Sequence, residues 1–324
     1  MLYDEMRIGR DMRGKLLLVS GVHGKALLLV ATFLLLAACA PPEQQVAKGP
    51  RSALTVATVN YPLAYFSERI GGEYVQVSFA VPADVDPAFW QPSAEAVLEY
   101  QQADLIFLNG AGYAAWVKNA SLPLSRIVDT SAAAADQLIK VTAGPRHKHG
   151  PTGEHDHGVT AFTTWLDPDI AKVQAEAVLQ ALSNARPEYA DEFAAGYRQL
   201  VDDLDALNAQ FATALALPVD AAVVFSHPVY QYLQRHYAVN AATVMWEPDM
   251  ALTSDDLSSL PGRPDGSAMQ LVIWEAEPSA ANQAALAAEG FQSIVFATAA
   301  NKPVEGDYLD VMRANAKRFE ELSR

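Results

Sequence analysis

"PEYADEFAAGYRQLVDDLDALNAQFATAL" runs from Pro187 to Leu215 and is the most periodic segment of the chain. Tyr189, Phe193, Tyr197, Leu200, Leu204, Leu207, Phe211 and Leu215 recur every three or four residues, which lays one apolar stripe along one uninterrupted helix. Pro187 suits a first helical position, where its fixed φ is already helical and its missing N–H costs nothing. Pro218 stops the run. At about 1.5 Å per residue such a helix reaches roughly 43 Å, enough to run the length of a two-part body.

The flanking sequence supplies the two parts. A chain of 324 residues exceeds one ordinary domain, and its 51% hydrophobic and 19% charged content is globular. Upstream, "ALTVATV" (53–59), "VQVSFAV" (75–81), "DLIFLN" (104–109) and "RIVD" (126–129) read as strands, with helical stretches at 61–70 and 93–102 between them. Downstream, "DAAVVFS" (220–226), "AATVMW" (241–246), "QLVIW" (270–274) and "SIVFA" (293–297) repeat the alternation. Strand, helix, strand in succession predicts an α/β fold: two lobes, each a four-stranded parallel sheet flanked by helices, joined by one long linker helix. The expected divisions are a first lobe at 53–186, the linker at 187–217 and a second lobe at 218–324.

The amino terminus reads as a targeting segment. Arg7, Arg10, Arg13, Lys15 and Lys25 precede "ALLLVATFLLLAA" (26–38), a run of about 20 Å as a helix, short of the roughly 30 Å of a bilayer core. The run ends in "LAAC" (36–39), which looks like a bacterial lipobox and implies cleavage before Cys39 and lipidation of its thiol. Cys39 is the only cysteine, so no intrachain disulfide is possible. Residues 40–52 are polar and punctuated by proline, a tether between anchor and body.

Charge narrows the partners. Residues 1–39 carry 5 of the 23 basic and 3 of the 38 acidic residues, which leaves the body at 18 against 35, or −17. Nucleic acid needs a basic face and is not expected. Cations are suited to such a field.

"RHKHGPTGEHDHG" (146–158) places His147, His149, His155 and His157 in one window of a chain with 7 histidines. Flanking glycines and prolines make it a loop, and a histidine-rich tract with Glu154 and Asp156 among the imidazoles is a compositional signal for metal binding. Zinc comes first by ligand softness, manganese second.

Four landmarks, taken in order, resemble a known family: "GGEYVQVSFAVPADVDPAFWQPSAEAVLEYQQADLIFLNGAGYAAWV", "TTWLDPDIAKVQAEAVLQAL", "FSHPVYQYLQRHYAV" and "GDYLDVMRANAKRFEEL". They look like the periplasmic zinc- and manganese-binding receptors of metal ABC importers, over about residues 53 to 324. The resemblance implies two α/β lobes around one long helix, a metal held between the lobes by histidines and carboxylate, a histidine-rich loop of the zinc type, a permease as partner, and a monomer on the periplasmic face of a membrane.

Carried over residue by residue, the family's ligand positions fall on Ala88, Thr163, His227 and, for the late carboxylate, Ala297. One of the four keeps a ligand, His227. Glu247 and Glu275 follow second-lobe strands, at the carboxyl ends where α/β proteins bind ligands. Their plainer reading is solvated loop acids, and Glu275 is kept as a candidate ligand. Asn60, Tyr61 and Trp90 are candidates to line the cleft from the first lobe, and His236 reads as a helix-surface residue.

The function expected is a lipid-anchored solute receptor that binds a divalent cation, zinc ahead of manganese, for an ABC importer. The alternatives are an envelope metal buffer working through its histidine-rich loop, and a receptor for another small ligand, with Trp90, Trp165, Trp246 and Trp274 as aromatic lining. No enzyme is expected: the chain has no Gly-x-Ser-x-Gly elbow, phosphate-binding glycine loop or His-Glu-x-x-His helix.

Overall fold

The computed structural model describes residues 52–141, 160–261 and 269–322, and the backbone at 147–148 and 154–155. Cys39 and the segments expected to be a targeting sequence and a tether, through residue 51, lie outside the described residues.

Residues 52–324 form one compact unit that contains two parallel sheets. The first is built from β1 (Leu54–Thr58), β2 (Val75–Ser78), β3 (Leu105–Leu108) and β4 (Ile127–Asp129), in the order β2-β1-β3-β4. Helices α1 (Tyr61–Gly71), α2 (Ala94–Gln102) and α3 (Pro168–Ala185) belong to this half. A two-residue antiparallel ladder, β5 (His147–Lys148) with β6 (Glu154–His155), sits between β4 and α3 in sequence. The second sheet follows α4 (Ala190–Ala214): β7 (Ala222–Phe225), β8 (Ala241–Thr243), β9 (Gln270–Trp274) and β10 (Gln292–Val295), in the order β10-β9-β7-β8. Its helices are α5 (Gln231–Tyr237), α6 (Ser254–Ser258), α7 (Ala280–Ala288) and α8 (Tyr308–Leu322). The expected α/β fold of two four-stranded parallel sheets is what forms.

Several strands are shorter than expected, β2 ending at Ser78 and β8 at Thr243. The helix starts are chemically marked: Asn60 accepts from the Leu63 N–H ahead of α1, and Ser93 from the Ala96 N–H ahead of α2.

The long helix departs from the sequence expectation at its start. Pro187–Tyr189 form a 3-10 turn, and the α-helix proper begins at Ala190. Its 25 residues span roughly 38 Å. Phe193, Leu200, Leu204, Leu207 and Phe211 are buried, as the stripe requires, and Tyr189 stacks on Tyr74 with ring centroids 4.1 Å apart. The helix packs on α1 and α3 of the first half and α8 of the second. Asp203 on it takes Arg69 of α1 at 2.6 Å and Arg313 of α8 at 3.3 Å.

The apolar core runs without a break from Leu54 in the first sheet through α4 to Phe319 in α8. Alternation in β7 sorts the second sheet's faces: Val223 and Phe225 join that core, while Ala222 and Val224 pack with Trp246, Trp274 and Leu286 on the other side. Trp246 and Trp274 are therefore packing residues, with centroids 6.1 Å apart.

Candidate metal centre

Parallel strands put all their carboxyl ends on one edge of a sheet. In the second sheet three neighbouring strands, β8, β7 and β9, each run out into a residue with a metal-ligating side chain. Backbone pairing continues past the strand ends: Ser226 N–H donates to the Ile273 carbonyl at 2.9 Å, Trp246 N–H to the Ser226 carbonyl at 2.7 Å, and Phe296 N–H to the Trp274 carbonyl at 2.8 Å. These bonds fix the residues that follow, His227, Glu247 and Glu275.

One ligand atom from each of the three lies within 4.8 Å of the others. His227 Nδ1 is 3.8 Å from Glu247 Oε1, with the imidazole 2% and the glutamate side chain 26% exposed. Glu275 is also half-buried. Neither glutamate is a solvated loop acid, because strand order packs each beside His227. The arrangement is one imidazole and two carboxylates converging on one point, a donor set that fits a divalent cation.

His227 and Glu275 line a cavity of about 20 Å³. Its other walls include Asp86, Tyr113, Phe162, Thr163 and Trp165 from the first half, and Val229 and Thr298 from the second. Two carboxylates, Asp86 and Glu275, stand in its walls. Burial pushes the Tyr230 phenol well above its usual range, and the charge of Glu275 adds to the effect. Burial does the same to Tyr113, with Asp86 adding.

Around this cavity the halves are joined directly. Thr163 Oγ1 donates to the Val229 carbonyl, Trp165 Nε1 to the Thr298 carbonyl at 2.8 Å, Tyr232 OH to the Ala161 carbonyl at 2.9 Å, and the Tyr61 N–H to the Ala300 carbonyl at 2.9 Å. The loop carrying Thr163 is braced from below by a buried neutral network. Asn109 Nδ2 donates to the Phe162 carbonyl at 2.8 Å, and Asn109 Oδ1 accepts from Asn60, Thr164 and Gln174.

The remaining sequence candidates go elsewhere. Ala88 is buried and donates its N–H to Asp86 at 2.8 Å; Ala297 exchanges two backbone hydrogen bonds with the Asn315 amide. Asn60 is fully buried as the cap of α1. Trp90 packs edge-on against Trp116, and neither it, Asn60 nor Tyr61 lines the cavity. His147 and His155 are Cα partners across the β5–β6 ladder, while His149 and His157 lie outside the described residues.

His236 is not a helix-surface residue. Its Nδ1 is 2.9 Å from Asp167, its Nε2 is 3.1 Å from Asn208 Oδ1, and the ring is 17% exposed. Asp167 is the buried cap of α3 and also takes Arg235 at 2.9 Å, so this second His–Asp group is occupied as a clasp between the halves.

Asp86 and Tyr113 were not among the residues expected from the sequence to line the site. Each had a signal: Asp86 sits two residues before the Ala88 position in "DVDP", and Tyr113 follows the carboxyl end of β3 in "NGAGY".

Comparison with known proteins agrees with the architecture. The family model described as zinc-uptake complex component A periplasmic (ZnuA) matches residues 56–322. Zinc-binding lipoprotein AdcA of Streptococcus pneumoniae is 22% identical over 314 residues, covering 92% of this chain and 61% of the relative, so the chain spans less than two thirds of that protein's length. The high-affinity zinc uptake system protein ZnuA of Bacillus subtilis is 22% identical over 301 residues, covering 89% of this chain and 93% of the relative. Among solved structures, the metal-dependent lipoprotein YcdH of Bacillus subtilis superposes with a TM-score of 0.71 at 20% identity, over 83% of this chain and 98% of that one.

Proposed function

The chain belongs to the periplasmic component A family of zinc-uptake complexes, and from that premise we propose that it is an extracytoplasmic receptor that captures a divalent cation for an ABC importer. The observation that carries this reading is the meeting of His227, Glu247 and Glu275 within 4.8 Å. The three come from adjacent strand ends, so the site is preformed by the sheet. A cavity of about 20 Å³ admits one water-sized occupant, which suits an ion and not an organic ligand.

Zinc is placed ahead of manganese, in keeping with the relatives named for zinc and with the histidine-rich segment. In this reading His147, His149, His155 and His157 gather the cation, and His227 with the two glutamates holds it. A body charge of −17 favours the approach of cations. Residues 53–186 and 218–324 act as the two lobes about the helix at 187–217, with a lipid on Cys39 holding a monomeric receptor at the membrane. The permease is the partner, nucleic acid is not, and the chain catalyses no reaction.

A second reading, a metal buffer working through the loop alone, draws on the latch at Thr163. A residue that takes up the Val229 carbonyl ties the halves together without any cation.

Zinc calorimetry separates the two. The full chain would be titrated beside a chain lacking residues 146–158, with and without His227→Ala. The receptor reading expects one-to-one binding that survives loop deletion and disappears with His227→Ala. Loss of all binding on loop deletion, with no effect of His227→Ala, leaves the buffer.

A further inference from the structure

Tyr113 stands on the first-half wall of the same cavity and has no part in the ligand set. It is 7% exposed, and its hydroxyl has no hydrogen-bond partner among the described residues. Burial keeps the phenol protonated, so it is a donor and not a phenolate ligand. A buried donor left without an acceptor is costly, and native structures keep such groups where an ion, water or ligand satisfies them.

The backbone that presents Tyr113 is costly too. Gly110, Ala111, Gly112 and Ala114 all have positive φ, between 53° and 80°, and two of these four are alanines, which rarely adopt that conformation. Gly110 also has no room for a side chain: a Cβ there would lie 1.9 Å from Ser131 Oγ. The turn closes on the Tyr113 N–H to Gly110 carbonyl bond at 3.0 Å, and the ring is gripped edge-on by Phe162 and Trp165 at 5.4 and 5.7 Å. A strained turn and two aromatic contacts hold Tyr113, with its unmatched buried hydroxyl, in the wall of this cavity.

Three protein ligands that each bind through one atom, as the meeting point of His227, Glu247 and Glu275 offers, leave one position open on Zn²⁺, which is almost always four-coordinate in proteins. The cavity beside His227 and Glu275 has room for about one water-sized group.

We propose that the cation held by His227, Glu247 and Glu275 carries one exchangeable, water-sized acceptor ligand, and that the Tyr113 hydroxyl donates its hydrogen bond to that ligand. The inference rests on the receptor reading above and deepens it. The first half recognises the cargo through a donor, where the positions carried over from the family hold Ala88 and Thr163. The cargo class is then a divalent cation that keeps a water or small anion, not one fully enclosed by side chains.

Cobalt(II) and fluoride test this in the full chain. Cobalt reports its ligands by visible absorption, and fluoride is a water-sized acceptor whose ¹⁹F line broadens when it binds the paramagnetic ion. The His227→Ala chain supplies the signal of the histidine-rich loop alone, to be subtracted. The expected result is His227-dependent cobalt binding with fluoride broadening, and a Tyr113→Phe chain that keeps the His227-dependent cobalt signal but binds fluoride on the order of tenfold more weakly. Fluoride binding unchanged in Tyr113→Phe, or no fluoride binding to the cobalt-loaded wild type, overturns the role of Tyr113 and leaves the receptor reading standing. A cobalt spectrum unchanged by His227→Ala overturns both.

Discussion

The Thr163 hydroxyl donates a hydrogen bond to the Val229 carbonyl, tying a first-half loop to the segment two residues beyond His227. Both residues are buried and line the candidate cavity. Val229 is held in turn by its own N–H, which donates to the His227 carbonyl at 2.9 Å. Thr163 therefore joins the halves beside the proposed ligand without supplying one.

Thr163→Val keeps the shape and removes the donor. It should cost about 1–2 kcal/mol, because the Val229 carbonyl is left buried without its partner. For a chain of this size that is a fall of roughly 2–6 °C in the melting temperature of the metal-free protein. Cobalt or zinc affinity should change little. A melting temperature equal to the wild type would show that the bond contributes nothing.

Glu247→Gln and Glu275→Gln each remove one negative charge from the point where the three side chains meet. Each should weaken zinc binding on the order of a hundredfold, measured by competition with a chelator. The double variant should lose less than the product of the two, since the residues share one ion. Binding should also weaken on acidification, because His227 must be neutral and the carboxylates ionised to bind. A glutamate whose replacement leaves affinity unchanged is not a ligand.

Asp167 accepts from Arg235 and His236 of the second half, both at 2.9 Å, and caps α3 in the first. Its side chain is 5% exposed. Asp167→Ala should destabilise the protein by about 2–3 kcal/mol, combining a lost cap with charge-assisted hydrogen bonds. Urea unfolding gives the value. A loss under about 0.5 kcal/mol, the usual range for surface substitutions, would place the clasp outside the folding energetics.

Asp104 ties the start of β3 to β1. Its Oδ2 accepts from the Thr55 N–H at 2.9 Å and the Thr55 hydroxyl at 2.8 Å. Partial burial pushes its carboxyl up, but the Thr55 hydrogen bonds and the charges of Arg186 and Arg126 outweigh that and leave the pKa below the usual value. A lowered folded pKa means stability that is present above the ordinary carboxylate value of about 3.9 and is lost as pH falls through the folded one. Urea midpoints at neutral pH and near pH 3 should therefore differ more in the wild type than in Asp104→Asn. Equal differences in the two proteins would remove Asp104 from the acid response.

The strands, the long helix and the strand-end positions of His227, Glu247 and Glu275 were legible in the sequence, because periods of 2 and 3.6 are set by local backbone geometry. The histidine-rich segment and the Cys39 motif were legible as composition. The sequence could not show that three strand ends would share one point. Parallel strands pair through crossovers, so β7 lies between β8 and β9, and backbone pairing beyond the ladder sets where each side chain stands. It could not show that Thr163 would bond across the halves, or that positive φ at Gly110, Ala111, Gly112 and Ala114 would set Tyr113 in the cavity wall. Periodicity is local and can be read from the order of residues; convergence depends on which strands hydrogen-bond side by side, and only the folded chain decides that.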